Sequence, residues 1–421
     1  MADAGVTAEP GEPGGQGRVE GRGLRDRWRG AVAWCARPEV ALWAILGGAF
    51  VARYVSVLRT KPLFAPDSQY YVGMSLRFSG LSRAEAYERA IRVPLENGWT
   101  PTTQEAMFGW DLVTPRVVLP LLSAPFTRAF GPYGMAVVTA VATFGMVALV
   151  LVVARRRYGL AAALVPVFLV LASSYLMFYG SALLTESLTA VWSACVLLAV
   201  WWYQRTGLRR ALVLAASLTV VFAFTRQATF IVAGAVVVAW LAALVLRQDH
   251  RRWRAPALVV GGTALGTQLL QMVLFPGFSQ VNQFLAKTGT DSLAEALAAA
   301  PRLAWRIFRR DMENFMLADR ALLVLIGLSA IAVVLRWRDS SSHLLIGAFA
   351  GIVLYNVTNG TPTAFRYAMP GLVFYVLAVA GLISLALPRS LRAAPEPPDG
   401  SPAATPPETV ASPALPGRPT A

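Results

Sequence analysis

The feature that most constrains this chain is a recurrence of apolar runs, each close to the length of a bilayer crossing. The runs are separated by loops of which every second one is rich in arginine. A hydrocarbon layer about 30 Å thick takes roughly 20 apolar residues of helix, and helices and closed barrels are the only structures that satisfy their backbone polar groups within it. The runs fall near 39–58, 133–154, 159–178, 182–203, 210–224, 227–246, 256–275, 320–336, 342–357 and 366–387. The expected fold class is therefore all-α: a polytopic membrane protein of about ten transmembrane helices, with amphipathic helices in its first long outer loop. Composition agrees, since 56% of the 421 residues are hydrophobic and 14% are charged, too apolar for a soluble domain of this size.

The formal net charge is +15, and its placement decides its meaning. Arg155, Arg156 and Arg157, then Arg205, Arg209 and Arg210, then Arg247, Arg251, Arg252 and Arg254, then Arg336 and Arg338, and last Arg389 and Arg392 all fall in alternate loops. This is the positive-inside pattern, so the charge reports topology and implies no nucleic-acid partner. It predicts a multi-pass protein of the cell membrane with both termini cytoplasmic. Residues 1–38 and 388–421, rich in Gly, Pro and Ala, read as disordered tails flanking a membrane domain over 39–387. The two histidines, His250 and His343, fall on the expected inner side. A histidine metal site or a Ser-His-Asp triad on the outer face is thereby disfavoured. Cys35 and Cys195 have no bridging or zinc-binding pattern. No metal site is predicted, no cofactor is required by the residues, and dependence on a divalent metal is left open. No internal repeat is visible, which counts against an inverted-repeat transporter.

Two outer loops are long. The first, about 59–132, opens with F-A-P-D-S-Q-Y-Y-V-G-M-S-L-R-F-S-G over 64–80. Tyr70, Met74 and Phe78 recur at helical spacing, so Asp67 stands at the head of an amphipathic surface helix. Ser82 with Glu85 forms a capping box for a second helix. Residues 114–131, broken by Pro115, Pro120 and Pro125, read as surface-lying or re-entrant. The second loop, about 276–319, has a helix capped by Ser292 and Glu295 and restarted at Pro301. Along it Arg302, Arg306, Arg309 and Arg310 make a basic stripe that either docks over a site or adheres to anionic headgroups.

Charge near a bilayer is expensive and marks candidate chemistry. Asp67, Glu186, Arg226 and Arg366 all fall at the expected outer face. Asp67 is either a general base or the N-cap of the helix from Ser68. Glu186, in Y-G-S-A-L-L-T-E-S-L-T, is either functional or part of a first helical turn with Thr185. Arg226, in F-T-R-Q-A-T-F, is a phosphate ligand, a snorkelling flank residue or a partner for Glu186. The same functional and snorkelling readings apply to Arg366 in F-R-Y-A-M-P.

These stretches, with P-R-V-V-L-P-L-L-S-A-P-F-T-R-A-F-G before the second span, alternate with spans in an order that resembles the GT-C superfamily of polytopic membrane glycosyltransferases. That superfamily includes the aminoarabinose transferase and protein-mannosyltransferase types. The resemblance covers most of 39–387. It implies transfer of a sugar from a polyprenyl-phosphate donor to the hydroxyl of a lipid or cell-envelope acceptor at the outer face, with inversion. It implies Asp67 as catalytic base, although Ser68 stands where many relatives carry a second acid. Tyr70, Tyr71, Glu186, Arg226, Arg366 and Tyr367, inside the same stretches, are then the expected substrate-binding residues. Two other classes compete: a transporter or flippase of lipid-linked saccharides, and a non-catalytic membrane protein of GT-C-like fold. Convergence of Asp67, Glu186, Arg226 and Arg366 on one place favours the enzyme; scatter around the rim favours capping and snorkelling.

Overall fold

The computed structural model describes residues 38–360 and 363–388. Apart from Pro38 and Pro388 themselves, the expected tails 1–38 and 388–421 lie outside the described residues. Two compact units divide the chain after Ala52, within the first helix, and the second, from Arg53 onward, holds all the later elements. Among the described residues every regular element is a helix.

Helix α1 (Pro38–Thr60) is followed by the helices of the first long loop, α2 (Ser68–Phe78), α3 (Arg83–Ala90), α4 (Arg92–Glu96), α5 (Gln104–Gly109) and α6 (Val118–Phe130). The capping box forms as expected: Ser82 accepts from the Glu85 N–H and the Glu85 carboxylate accepts from the Ser82 N–H. Helix α6 has 13 residues, about 20 Å at 1.5 Å per residue, too short to cross a bilayer. It packs on α2, where Ser75 and Thr127 share a buried hydrogen bond of 3.0 Å.

The bundle proper comprises α7 (Met135–Tyr158), α8 (Leu160–Ala172), α9 (Ser174–Ser181), α10 (Glu186–Thr206), α11 (Arg209–Thr225), α12 (Thr229–Val245) and α13 (Arg251–Leu274). After helices α14 (Gln280–Thr288) and α15 (Leu293–Ala318) come α16 (Arg320–Leu335), α17 (Ser340–Asn359) and α18 (Leu372–Ala386). Among the described residues six helices are long and apolar enough to cross a membrane, seven if the bent pair α8 and α9 makes one span. The other expected spans, α11, α12 and α16, are helices of 16 or 17 residues.

Two sequence expectations are corrected. The expected span 159–178 is broken by 71° at Ser173. Ser173 leaves helical geometry and caps Leu176, and Asp319 fixes the bend by accepting from the Ser173 hydroxyl at 2.6 Å and the Tyr175 N–H at 2.7 Å. Pro301 does not restart α15 but sits within one continuous 26-residue helix. The apolar stripe Leu303, Ile307 and Phe315 is buried and holds the helix through the proline.

Helix α18 is buried on every side from Leu372 to Gly381, as an all-round apolar helix at a bundle centre must be. The most extensive helix pairing is α12 with α17. At its crossing a Cβ on Gly234 would stand 2.8 Å from the Gly347 carbonyl oxygen, and one on Gly351 would stand 2.7 Å from the Ile231 Cα. Gly347 and Gly351 form a G-x-x-x-G face that lets the two backbones touch. One turn on, Tyr355 is set against the start of α12.

At the opposite end of α17 lies a small charged knot. Asp339 caps α17 through the Ser341 N–H at 2.8 Å, pairs with Arg336, and accepts from the Tyr158 hydroxyl at 3.3 Å. The Arg336 guanidinium lies 5.1 Å above the Tyr158 ring.

Candidate functional site

The site is assembled at four breaks in helices. The first precedes α2. Ser68 is fully buried and its hydroxyl accepts from the Ala65 N–H at 3.0 Å, which closes a turn over residues 65–68. Asp67 occupies the N-cap position in helical geometry and makes no capping bond. Its carboxylate instead accepts from Arg366 Nη2 at 2.6 Å, so the N-cap alternative is not the one realised.

The second break is the link between α9 and α10. It is tied to the first by Leu183 N–H to Leu63 C=O at 2.8 Å. Thr185, at the N-cap, makes no side-chain cap either. Glu186 Oε1 accepts from Arg226 Nη1 at 2.8 Å and also from Arg366 Nε. The third break, between α11 and α12, holds Arg226 in extended geometry. Arg226 is the largest fully buried side chain among the described residues. Its Nε donates to the Tyr355 hydroxyl at 2.8 Å, and Nη1 also reaches Thr185 at 3.1 Å. Snorkelling is thus excluded for Arg226, and the pairing with Glu186 is present.

The fourth break delivers Arg366. Ala364 and Phe365 are both left-handed, with φ of 49° and 73°. Each such non-glycine residue costs on the order of 1–3 kcal/mol and persists only where its surroundings enforce it. Here Phe365 is clamped between Phe315 and Tyr375, with ring centroids at 6.4 and 5.3 Å. Asp311 of α15 accepts from the Ala364 N–H at 2.9 Å. Burial raises the Asp311 carboxyl above its ordinary range, opposed by the bonds from the Ala364 and Thr363 backbone. Helix α15 therefore reaches this site through Asp311. Its basic stripe, Arg302, Arg306, Arg309 and Arg310, is exposed, and Arg309 and Arg310 pair with Glu313 at 3.3 and 3.4 Å.

Exposure falls along the chain of contacts. The Asp67 side chain is 23% exposed, Arg366 12%, Arg226 2% and Glu186 1%. The ladder therefore runs from a solvent-facing carboxylate to a buried base of two charges. Burial pushes the Asp67 carboxyl upward, but Arg366, Arg116 and Arg226 outweigh it and hold the group below its usual value. Tyr367 lies beneath both guanidiniums, 4.9 Å from Arg226 and 5.7 Å from Arg366.

One member was not singled out in the sequence. Arg116, 7% exposed, donates through Nη1 to the Tyr71 hydroxyl at 2.9 Å and through Nε to Gln227 at 2.8 Å. No carboxylate pairs with it among the described residues. The signal was available: Arg116 stands in the P-R-V-V-L-P stretch of an outer loop, where a cation runs against the positive-inside trend just as Arg226 does. Tyr71 is thus joined to the site through Arg116. Tyr70 is not joined, and packs on Trp110 with centroids 4.6 Å apart. Asp111 is exposed, against Gly277.

Three arginines face two carboxylates, leaving one surplus positive charge in a buried setting. Such a cluster suits an anion, because an unpaired buried guanidinium carries a desolvation cost that a phosphate would offset. Among the described residues no group of three or more His, Cys, Asp or Glu side chains is placed to hold a metal ion. No family model matches the chain, and neither a curated protein nor a solved structure matches it.

Proposed function

We propose that the chain is a GT-C-like membrane glycosyltransferase of about ten spans. In this reading it moves a sugar from a polyprenyl-phosphate donor to an acceptor hydroxyl at the outer face of the cell membrane. The observation that carries the reading is the convergence of Asp67, Glu186, Arg226 and Arg366, joined by Arg116, into one buried cluster with surplus positive charge. Residues 299 apart in sequence meet there, which capping and snorkelling do not require.

In this reaction Asp67, the member most open to solvent, takes the acceptor proton. The acceptor oxygen forms the new bond to the anomeric carbon as the bond to the phosphate oxygen breaks. The polyprenyl phosphate leaves with the electron pair, and one displacement inverts the configuration. Arg366, Arg226 and Arg116 hold the phosphate and stabilise the charge gained by the leaving oxygen. Glu186 orients both Arg226 and Arg366 and touches no reacting atom. Tyr367 supports the guanidiniums from below.

One observation favours a second reading, a non-catalytic protein that binds lipid phosphate: Asp67 is held in an ion pair rather than free. Membranes containing the chain, supplied with a panel of labelled polyprenyl-phosphate sugars, separate the two. Transfer of label with release of polyprenyl phosphate is expected. Saturable donor binding with no transfer to any acceptor fraction would leave the binding protein as the correct description.

A further inference from the structure

Helix α10 begins at Glu186 and ends at Thr206, so its ends stand about 30 Å apart, the thickness of a hydrocarbon core. A second charged site lies at the end away from Asp67. A cavity of about 240 Å³ is lined there by Arg156 and Arg157 of α7, Trp201 and Gln204 of α10, and Arg252 and Trp253 of α13. One water needs roughly 10–15 Å³ by the same measure, so the space admits a group much larger than water.

Three observations separate this cavity from an ordinary basic flank. Guanidiniums from separate helices line one hollow instead of pointing apart. The Gln204 side-chain nitrogen is buried and has no hydrogen-bond partner, and a buried donor in that state calls for an acceptor. The charge is also unbalanced. Asp249 is the one carboxylate in the lining and is engaged by Arg252 at 2.7 Å, while Arg156 and Arg157 make no ion pair among the described residues.

We propose that this cavity binds the phosphodiester headgroup of an anionic phospholipid from the leaflet on that side. Trp201 and Trp253 flank the hollow at the ends of apolar helices, the level at which indoles sit in a bilayer. Leu244, Val245 and Leu258, on the adjoining turns of α12 and α13, are exposed and offer apolar surface for acyl chains. Basic pockets between spans take headgroups in this way.

Native mass spectrometry of the full chain in detergent, titrated with phosphatidylglycerol and with phosphatidylcholine, tests the proposal. One phosphatidylglycerol is expected to bind ahead of phosphatidylcholine, and to resist displacement by inorganic phosphate. Arg156→Gln with Arg157→Gln should weaken it by about 10-fold or more, since two charge-assisted bonds are lost. Gln204→Leu, which leaves the charge unchanged, should weaken it by roughly 5-fold. Arg209→Gln with Arg210→Gln removes equal charge outside the cavity and should change little. Equal weakening by the two double variants would mean general electrostatics and overturn the site. Displacement by inorganic phosphate would overturn the lipid as occupant. If the Arg156/Arg157 variant does not fold, the Gln204→Leu comparison decides alone.

Discussion

Two of the charged clusters at helix ends are built in opposite ways. The knot around Asp339 draws its ion pair from Arg336, three residues away. One positive and one negative charge cancel, and the carboxylate also caps a helix. The Asp67 cluster joins residues 299 apart, caps no helix, and carries three arginines for two carboxylates. A local, balanced pair with a capping role is accounted for by the helix it terminates. A long-range, unbalanced cluster costs desolvation and backbone strain that the fold does not recover internally. Under the proposed function, the second is the place that the donor phosphate would occupy.

Substitutions can break this contrast. The largest effect should come from Asp67→Asn, which keeps the shape and removes proton acceptance. Transfer should fall by roughly 10²–10⁴-fold with the fold intact, whereas Asp339→Asn should leave transfer near wild type. Near-full transfer by Asp67→Asn would remove Asp67 from the chemistry. Next in size is Glu186→Gln. It strands the buried Arg226 guanidinium and leaves Arg366 with Asp67 alone, and such breakage costs about 3–5 kcal/mol. Asp339→Ala should cost nearer 1 kcal/mol, the worth of a cap. Equal losses in denaturation would erase the distinction between the clusters.

Arg116→Gln sharpens the comparison, because it removes the surplus charge without breaking an ion pair. Donor binding should weaken by about 10-fold or more, the worth of a charged hydrogen bond, with stability unchanged or improved. A loss of stability with donor affinity unchanged would make Arg116 a structural residue. The smallest effect concerns pH. Asp67 is held below its usual value, so its stabilising pair with Arg366 is fully present at neutral pH. That stability is lost only as pH falls through the depressed value, below the ordinary carboxylate range near 3.9. For the free protein, kcat/KM should therefore show no acid limb between about pH 5 and 7. A break in that window that persists in Asp311→Asn, whose raised carboxyl is then absent, would mean that Asp67 is not held by Arg366 in solution.

The positions of most helices were legible because apolar length and arginine alternation are local properties. The bend at Ser173 was not, since its stabilising carboxylate, Asp319, lies 146 residues away. Continuity through Pro301 depends on burial of Leu303 and Ile307, which the proline signal masks. In the site, Asp67, Glu186, Arg226 and Arg366 stood out as charges near a membrane, and the Arg226–Glu186 pair was one of the readings, but the sharing of Arg366 between Asp67 and Glu186 was not. Nothing local marked Asp311, whose importance arises from a turn 53 residues on. The close crossing at Gly347 and Gly351 carried a readable small-residue pattern.

Arg366 gives one nitrogen to Asp67 and another to Glu186. Under the proposed reaction this sharing imposes a compulsory order of substrates. An acceptor arriving first meets a carboxylate already satisfied by a guanidinium, and no proton moves. A donor arriving first offers its phosphate to Arg366, loosens the hold on Asp67 and readies it for the hydroxyl that follows. With no donor bound, the resting protein keeps this base idle, tied to Arg366.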